Sequence, residues 1–328
     1  EYKVTVPDKS EKYMKTVVAF ANGKGGKIVF GVDDKTLEIV GMNTENIYNT
    51  KLIYDYYNGT DEYSDGDIED ELLNIVKNNR EYDKIINETY SFAVFYHLSK
   101  NREFITEVMD ISKSDSLLEI GAGCGAITGA LAREARDVTC IDLSKRRSLI
   151  NAYKNRDNDN IKIYVGNYQD IKLDKKFDVI TLIGVFEYSM YYIGDENPYE
   201  NMLKSCMEKL KENGRLYIAI ENRLGAKYFS GCKEDHIGKE FVGIEGYPGA
   251  IKAMTFSYYE LVEMFKKLKL NNYEFYYPYP DYKFPHVIYS DKYLPGEYEK
   301  FESASDYTSI RDRYFDENKF LNSLVGKD

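Results

Sequence analysis

The chain has 328 residues, and its 44 basic and 55 acidic residues give a formal net charge of −11. With 43% hydrophobic and 30% charged residues, the composition is that of a globular protein and excludes a disordered or collagen-like one. The acidic balance argues against a protein that coats nucleic acid without sequence preference. The four cysteines form no C-x-x-C pair, which excludes a disulfide scaffold and a typical zinc site, so no metal site is predicted.

The same features set expectations about organisation and location. The length is typical of about two domains. No apolar run reaches ~18 residues and no signal peptide is recognisable, so we predict no membrane span. Unpaired cysteines are typical of reducing compartments, and we therefore predict a cytoplasmic protein.

Residues 1–60 are predicted to form a small α+β unit. Lys12–Ala21 has apolar residues at helical spacing, and the glycine-rich stretch Asn22–Gly26 ends that helix because it tolerates positive φ. The apolar stretches Lys27–Val32 and Leu37–Val40 are predicted to form a strand hairpin.

Residues 61–110 are predicted to be an acidic and helical lead-in to the next domain. Seven of the residues in 61–71 are acidic and none is basic, which indicates a solvated face. Helices are predicted from about Asp65, over Tyr82–Leu98 and over Arg102–Met109.

From Ser116 onward, short apolar strands alternate with helices. This alternation indicates a parallel sheet that is covered on both faces. The predicted strands are Leu117–Ile120, Val138–Asp142, Ile161–Val165, Phe177–Ile183 and Arg215–Glu221, and the helices are Ala126–Arg136, Lys145–Arg156, Tyr199–Lys211 and Tyr258–Leu268. Two Tyr-rich strands are predicted to follow, over Tyr273–Tyr277 and His286–Tyr289.

A glycine-rich turn, Gly121-Ala122-Gly123-Cys124-Gly125, follows the first of these strands. Glycines are needed where the backbone approaches a ligand and opens a helix N-terminus. Ala126 also completes the G-x-G-x-x-A form found in dinucleotide-binding proteins. Two cofactor classes therefore compete, a nicotinamide or flavin dinucleotide and S-adenosylmethionine.

Acidic residues on either side of the turn favour S-adenosylmethionine. Glu119 precedes the first glycine by two residues, where a carboxylate can face the ammonium group of the ligand. Asp142 ends the second strand and is suited to accept hydrogen bonds from both ribose hydroxyls, although a dehydrogenase would place an acid there too. The order of the downstream segments Val165–Tyr168, Phe177–Leu182 and Leu210–Leu216 adds to this preference.

On these motifs, residues from about 65 to 295 resemble a class I S-adenosylmethionine-dependent methyltransferase. The resemblance implies an α/β fold with a Rossmann-like seven-stranded sheet whose last strand is antiparallel, and the two Tyr-rich strands fit that ending. It also implies S-adenosyl-L-methionine as the cofactor. The residues implied to bind the cofactor are Glu119, Gly121, Ala122, Gly123, Gly125, Asp142, Leu143, Asn167, Tyr168 and Gly184.

Four parts of the chain are therefore expected. They are the N-terminal unit (1–60), the acidic lead-in (61–110), the methyltransferase domain (111–295) with a substrate insert (221–255), and a charged tail (296–328).

The segment after the fourth strand bears on the methyl acceptor. Enzymes that methylate exocyclic amines of adenine or cytosine resemble one another in an Asn/Asp-Pro-Pro-Tyr segment there, and this chain has Ile183–Tyr188 instead. Gly184–Tyr188 is closer to small-molecule O-methyltransferases of the quinone-biosynthesis type, in which the fourth strand also ends near a Glu. Glu187 is therefore predicted to be an acceptor-site residue, with a helix-capping role as the alternative.

The insert is rich in polar and glycine residues and follows a parallel strand, where loops usually carry function. His236 lies beside Asp235, which could orient it as a general base, and a surface histidine is the alternative. We predict the acceptor pocket between Gly184–Tyr188 and Glu221–Tyr247, with His236, Asp235 and Glu187 as catalytic residues.

The sequence thus predicts O-methylation of a small molecule or glycan precursor. The alternatives are an RNA or DNA methyltransferase targeted by the N-terminal unit, and a non-catalytic S-adenosylmethionine-binding module. Residues 1–45 resemble the first part of an AlbA/Schlafen-type nucleic-acid-binding domain whose second half is missing. That part is expected to serve packing or dimerisation, with weak nucleic-acid contact through Lys24 and Lys27 as the alternative. No oligomeric state is predicted.

Overall fold

The structure of the chain is a computed structural model that describes residues 2–3, 29–30, 35, 44–61, 66–193, 196–249 and 253–294. The predicted helix Lys12–Ala21, the predicted strand Leu37–Val40 and the charged tail lie outside the described residues. Two short strands of the N-terminal part are described, β1 (Tyr2–Lys3) and β2 (Val29–Phe30), and they pair in parallel.

A seven-stranded sheet forms the centre of the molecule, with the strands in the spatial order β3-β4-β7-β6-β5-β8-β9. Its strands are β3 (Thr44–Ile47), β4 (Thr50–Tyr56), β5 (Ser116–Ile120), β6 (Asp137–Asp142), β7 (Ile161–Gly166), β8 (Phe177–Ile183) and β9 (Leu210–Ala219). All neighbouring strands are parallel except β3 and β4. The predicted fold class is therefore confirmed, and the five predicted parallel strands are β5 to β9.

The two Tyr-rich strands do not complete this sheet, so that prediction is wrong. They form a separate antiparallel hairpin of β10 (Tyr276–Tyr279) and β11 (Val287–Ser290). Pro278 lies in the middle of β10, and because proline has no backbone N–H to donate, it is confined to edge strands and hairpins of this kind.

The sixth and seventh strands come instead from the N-terminal side of the chain. The β3–β4 hairpin adds to the open edge of β7, where Leu52 pairs with Ile163 in register. Leu52 is fully buried and belongs to the same apolar cluster as Ile163. The sheet therefore includes part of residues 1–60, which the sequence predicts to form a separate unit. The limits of the four predicted parts of the chain stay a prediction.

Truncating Leu52 to alanine is expected to lower the free energy of unfolding by about 2–5 kcal/mol, because a buried leucine leaves a cavity. Urea denaturation followed by circular dichroism measures this change. Lys51→Ala is the matched control, since Lys51 is its exposed neighbour on β4. A Leu52→Ala variant as stable as the control would contradict the placement of β4 in the core.

Helices cover both faces of the sheet. They are α1 (Asp67–Asn78), α2 (Tyr82–Thr89), α3 (Phe92–Leu98), α4 (Thr128–Glu134), α5 (Lys145–Lys154), α6 (Ser189–Tyr192), α7 (Pro198–Lys209), α8 (Ala226–Phe229) and α9 (Tyr258–Lys267). The predicted helix Tyr82–Leu98 divides into α2 and α3 because Tyr90 is left-handed, with φ of 49°. The segment Lys100–Val108, predicted as helical, is a 3₁₀ helix.

Alternate residues of the central strands supply the two cores, as expected for a sheet covered on both sides. Leu118 and Ile180 belong to the apolar cluster on one face, and Leu117 and Val179 belong to the cluster on the other. In the part of the chain that the structure describes, no helix has the length and apolar character needed to cross a bilayer.

Candidate active site

The glycine turn follows β5 and lies against the end of β6. The backbone N–H groups of Gly121 and Ala122 both donate to the carbonyl oxygen of Ile141, at 2.8 and 3.1 Å. Gly121 is left-handed with φ of 71°, and a Cβ atom there would lie 2.3 Å from Cγ2 of Val185. Only glycine therefore permits the close approach between this turn and the loop after β8.

Gly125 has a different role from the one predicted. A Cβ atom at this position would meet Oδ1 of Asn151 at 2.4 Å and Nδ2 of Asn155 at 2.7 Å. Gly125 does not line the cavity that the other predicted cofactor residues surround. Its side-chain hydrogen is needed for packing against α5, so the structure places it behind the ligand-facing surface.

Asp142 connects the glycine turn to the loop after β6. Its Oδ2 accepts a hydrogen bond from the N–H of Gly123 at 2.7 Å, and its Oδ1 accepts one from the N–H of Ser144 at 3.0 Å. Burial raises the pKa of Asp142, while the Arg147 guanidinium and the two backbone donors oppose that rise. The carboxylate lines the same cavity as the glycine turn.

Glu119 also lines the cavity and lies next to the carboxyl end of β5. Its Oε2 accepts a hydrogen bond from the hydroxyl of Thr128 at 2.7 Å, which fixes the side chain against α4. Burial raises the pKa of Glu119 to about 7, against the lowering effect of that hydrogen bond. A cationic ligand group would favour its charged form.

The opposite wall of the cavity is formed after β7 and β8. The phenol of Tyr168 is buried and shares a 2.9 Å hydrogen bond with the hydroxyl of Ser205, which fixes the ring. Asn167 accepts from the N–H of Gln169 through its side-chain oxygen at 3.2 Å. Of the ten predicted cofactor residues, nine line this one cavity, all except Gly125.

These residues fit S-adenosylmethionine. Left-handed glycines expose the turn's backbone, Glu119 offers a carboxylate to an ammonium group, and Asp142 offers two oxygens to a pair of hydroxyls.

We expect Asp142→Ala to weaken S-adenosylhomocysteine binding by roughly 1–3 kcal/mol, because charge-assisted hydrogen bonds are lost. Titration calorimetry measures the change. The control is Asp137→Ala at the opposite end of β6, where the carboxylate pairs with Lys175 and Arg136 outside the cavity. Equal affinities of the two variants would contradict the assignment.

The insert begins at the end of β9 and is tied down at its base. The N–H of Arg223 donates to the carbonyl oxygen of Phe256, and its guanidinium pairs with Glu260 at 2.7 Å. These two interactions hold the ends of the insert together, so the middle of the insert lies over the carboxyl ends of β8 and β9.

The middle of the insert presents His236 to the cavity. The Nδ1 atom of His236 lies 2.8 Å from Oε1 of Glu234, and Oε2 of Glu234 accepts from the N–H groups of His236 and Ile237. The ring of Tyr188 packs edge-on against the imidazole. Glu234 therefore fixes the ring, a role that we had predicted for Asp235.

Asp235, for which the orienting role was predicted, makes its hydrogen bonds to two other residues. Its Oδ2 accepts from Nζ of Lys227 at 2.7 Å and from the hydroxyl of Tyr228 at 2.6 Å. Burial raises the pKa of Asp235, but the charges of Lys283 and Lys227 outweigh it and hold the pKa well below its usual range. Asp235 and His236 line the same cavity, but Glu234, two residues before His236, is the acid that contacts the ring nitrogen.

The Nε2 atom of His236 faces two further carboxylates. It lies 3.3 Å from Oε1 of Glu187 and 3.9 Å from Oε2 of Glu221. The two loops predicted to form the acceptor pocket thus lie side by side in the cavity that also contains the glycine turn. We call Glu187, Glu221 and His236 the carboxylate–histidine cluster.

The charge of this cluster changes the expected role of His236. Burial lowers the pKa of His236, but the hydrogen bonds to Glu187 and Glu234 and the charge of Glu221 raise it to about 10. A histidine that holds its proton at neutral pH is a poor base. Glu187, whose pKa burial raises, is the better candidate to accept a proton.

Sequence reasoning missed Lys283, which lines the same cavity from the segment between β10 and β11. Its Nζ pairs with Oε1 of Glu221, and both residues are buried. Nothing local in the sequence connects Lys283 with a residue 62 positions earlier.

Comparisons with known proteins agree with this geometry. Residues 118–216 match the family model described as "Methyltransferase domain", and residues 1–87 match the model described as "Schlafen, AlbA_2". The match to the Schlafen, AlbA_2 model extends beyond the predicted residues 1–45. It overlaps β3, β4 and α1.

Among curated proteins, an uncharacterized methyltransferase of Staphylococcus carnosus is 28% identical over 57% of this chain and 83% of its own length. The ubiquinone biosynthesis O-methyltransferase of Rickettsia conorii is 28% identical over 45% of this chain, and the mitochondrial one of Schizosaccharomyces pombe is 30% identical over 38%. The chain spans 48% and 46% of these two relatives, about half their lengths.

Among solved structures, Haemonchus contortus phosphoethanolamine N-methyltransferase 1, in complex with phosphoethanolamine and S-adenosylhomocysteine, is 16% identical, with a TM-score of 0.41. The match covers 79% of this chain and 53% of that one. The match of residues 118–216, the seven-stranded sheet and the glycine turn identify a class I S-adenosylmethionine-dependent methyltransferase domain in this part of the chain, and residues 1–87 match the Schlafen, AlbA_2 model.

Proposed function

We propose that the chain methylates a hydroxyl group of a small molecule or glycan precursor. The observation that carries this proposal is the carboxylate–histidine cluster in the same cavity as the glycine turn. A hydroxyl acceptor usually must lose a proton during transfer, and buried carboxylates are suited to take it. The partial similarity to two ubiquinone biosynthesis O-methyltransferases supports the same acceptor class.

The proposed chemistry is an in-line displacement. When bound, S-adenosylmethionine supplies a methyl group on a positively charged sulfur. Glu187 accepts the proton of the acceptor hydroxyl as the oxygen–methyl bond forms and the sulfur–methyl bond breaks, with the bonding electron pair remaining on sulfur. The surrounding residues hold the acceptor oxygen in line and exclude water.

Hydrogen bonds hold Glu187 in the place that this role needs. Its carbonyl oxygen accepts from the N–H of Met254 at 3.0 Å and from the hydroxyl of Tyr199 at 3.3 Å. Its side chain is 1% exposed, and its Oε2 atom has no hydrogen-bond partner among the described residues. Glu187 thus carries a buried carboxylate oxygen that an acceptor hydroxyl could pair with once it is bound.

The overall charge of the chain disfavours the nucleic-acid alternative. A net charge of −11 speaks against a basic stripe beside the pocket, which is the feature that a nucleic-acid acceptor would favour. A binding module without turnover would have no need of a buried carboxylate with a free oxygen, because such a group costs folding energy.

The test is methyl transfer from S-adenosylmethionine labelled on the methyl group. Catechols, hydroquinones, sugar nucleotides and a structured RNA are compared at equal concentration, and the labelled product is identified by mass spectrometry. We expect a methyl ether on a hydroxyl compound. Transfer to RNA alone, or binding of S-adenosylmethionine without transfer to any acceptor class, would contradict the proposal.

A further inference from the structure

We propose that Glu187, Glu221 and His236 bind a divalent metal ion that in turn holds the oxygen of the methyl acceptor. This inference rests on the proposed function for the role of the ion, but the site itself rests on geometry alone. The spacing of cysteine and histidine residues in the sequence predicts no metal site, whereas the proposed ligands are mainly glutamates.

The geometry of the three residues is that of a ligand set. One carboxylate oxygen of each glutamate and one ring nitrogen of His236 all lie within 4.8 Å of one another. Ligand atoms at roughly 2.0–2.2 Å from one ion stand about 3–3.5 Å apart. The distance of 3.3 Å from Nε2 of His236 to Oε1 of Glu187 falls in that range, and the distance of 3.9 Å to Glu221 needs only a small closure.

A second and independent observation is the state of the two glutamates. The Oε2 atoms of Glu187 and Glu221 are fully buried and have no hydrogen-bond partner among the described residues. Their side chains are 1% and 4% exposed, and both line the cavity. Buried carboxylate oxygens normally accept a hydrogen bond or coordinate a metal, since a buried polar atom without a partner is costly.

The residues around the set are arranged as they are in metal sites. Glu234 holds the Nδ1 side of His236 at 2.8 Å, which leaves Nε2 to face the two glutamates. A bound ion would take the place of the proton on Nε2, since a metal-binding imidazole is neutral. A carboxylate that accepts from the other ring nitrogen is the usual support of a metal-binding histidine, because it fixes the tautomer and the ring orientation. Lys283 pairs with Oε1 of Glu221 and leaves Oε2 directed at the histidine.

The ligand types indicate which metal ion the site would bind and what that ion would do. Two carboxylates and one imidazole favour Mn²⁺ or Zn²⁺ over Ca²⁺, which prefers oxygen ligands only. Three protein ligands leave positions open for an oxygen of the acceptor. When bound, such an ion would lower the pKa of the acceptor hydroxyl, and Oε2 of Glu187 would take up its proton. The oxygen–methyl bond would form as the sulfur–methyl bond breaks, with the electron pair remaining on sulfur.

The first experiment measures metal binding without any acceptor. The full chain is stripped with a chelator, dialysed, saturated with S-adenosylhomocysteine and titrated with Mn²⁺ and with Zn²⁺ by calorimetry. We expect one ion per chain for the unaltered protein and no binding at that site for Glu187→Gln or His236→Ala. Glu234→Gln is expected to bind about 10- to 100-fold more weakly, since it only positions the ring.

Glu245→Gln is the matched control, because Glu245 is an exposed acid of the same insert. Its metal affinity should equal that of the unaltered chain. If the ligand variants fail to fold, pulsed electron paramagnetic resonance of Mn²⁺ on the unaltered chain decides the matter, because a ligating imidazole gives nitrogen coupling. No calorimetric response up to millimolar metal, binding that Glu187→Gln and His236→Ala retain, or bound Mn²⁺ without nitrogen coupling would overturn the proposal.

These results separate the metal site from the proposed function. Full methyl transfer in the presence of chelator, together with no calorimetric response to metal, would reject the metal site and support the proposed O-methyltransferase activity. Metal binding that depends on the three ligands, together with no transfer to any hydroxyl acceptor, would support the metal site and contradict the proposed function.

Discussion

Replacing Gly121 with alanine is expected to weaken S-adenosylhomocysteine binding by at least about 100-fold, measured by titration calorimetry. The left-handed backbone costs a non-glycine residue roughly 1–2 kcal/mol. The larger effect is steric, because the new Cβ atom would lie 2.3 Å from Cγ2 of Val185. The turn and the loop after β8 must then separate, and both line the cavity.

Two further variants separate strain from collision. Gly59 is also left-handed, with φ of 91°, but a Cβ atom there meets nothing within 4 Å. Gly59→Ala should therefore bind the ligand as the unaltered chain does. Adding Val185→Ala to Gly121→Ala should restore part of the affinity. If Gly121→Ala binds normally, the close approach at this turn has no part in cofactor recognition.

Glu187→Gln is expected to lower turnover on the identified acceptor by roughly 100- to 10,000-fold, the range for removal of a proton-transfer group. Glutamine keeps the shape of the side chain but cannot take up a proton, and it is a weaker ligand for a cation. Affinity for S-adenosylhomocysteine should change little, since the glycine turn and Asp142 are untouched. Steady-state kinetics and calorimetry on the same preparation provide both readouts.

Glu196→Gln is the control for this change. Glu196 is an exposed acid that follows α6 and lies outside the cavity, so its substitution should leave turnover intact. Full turnover by Glu187→Gln would remove this carboxylate from the mechanism. Catalysis would then depend on alignment alone, as it can for an acceptor that is already ionised at neutral pH.

The sequence predicts the parts of the fold that local patterns determine. Continuous apolar strands, the glycine turn and an acid at the end of β6 are enough to place β5 to β9 and the cofactor cavity. The addition of β4 to β7 is not predictable in this way, because Leu52 and Ile163 are far apart in sequence. Their apolar side chains could pack against many other apolar residues, and the open edge of β7 in the folded sheet determines that they pair.

The candidate site shows the same division between local and distant information. The positions of Glu187 and His236 follow from topology, since both lie in loops after parallel strands. The choice of Glu234 over Asp235 depends on the conformation of a single turn, which composition does not determine. Lys283 enters the cavity from a segment beyond the last strand of the sheet, so no spacing rule connects it with Glu221.

The pairing of β4 with β7 also has a consequence for biosynthesis. Strand β4 leaves the ribosome about one hundred residues before β7, which is roughly 5–20 seconds at usual elongation rates. During that time Leu52 and Ile53 can pair with β3 but have no parallel strand to join. The first part of the sheet to be synthesised thus waits for β7, and a chaperone that covers short apolar segments would find its target there.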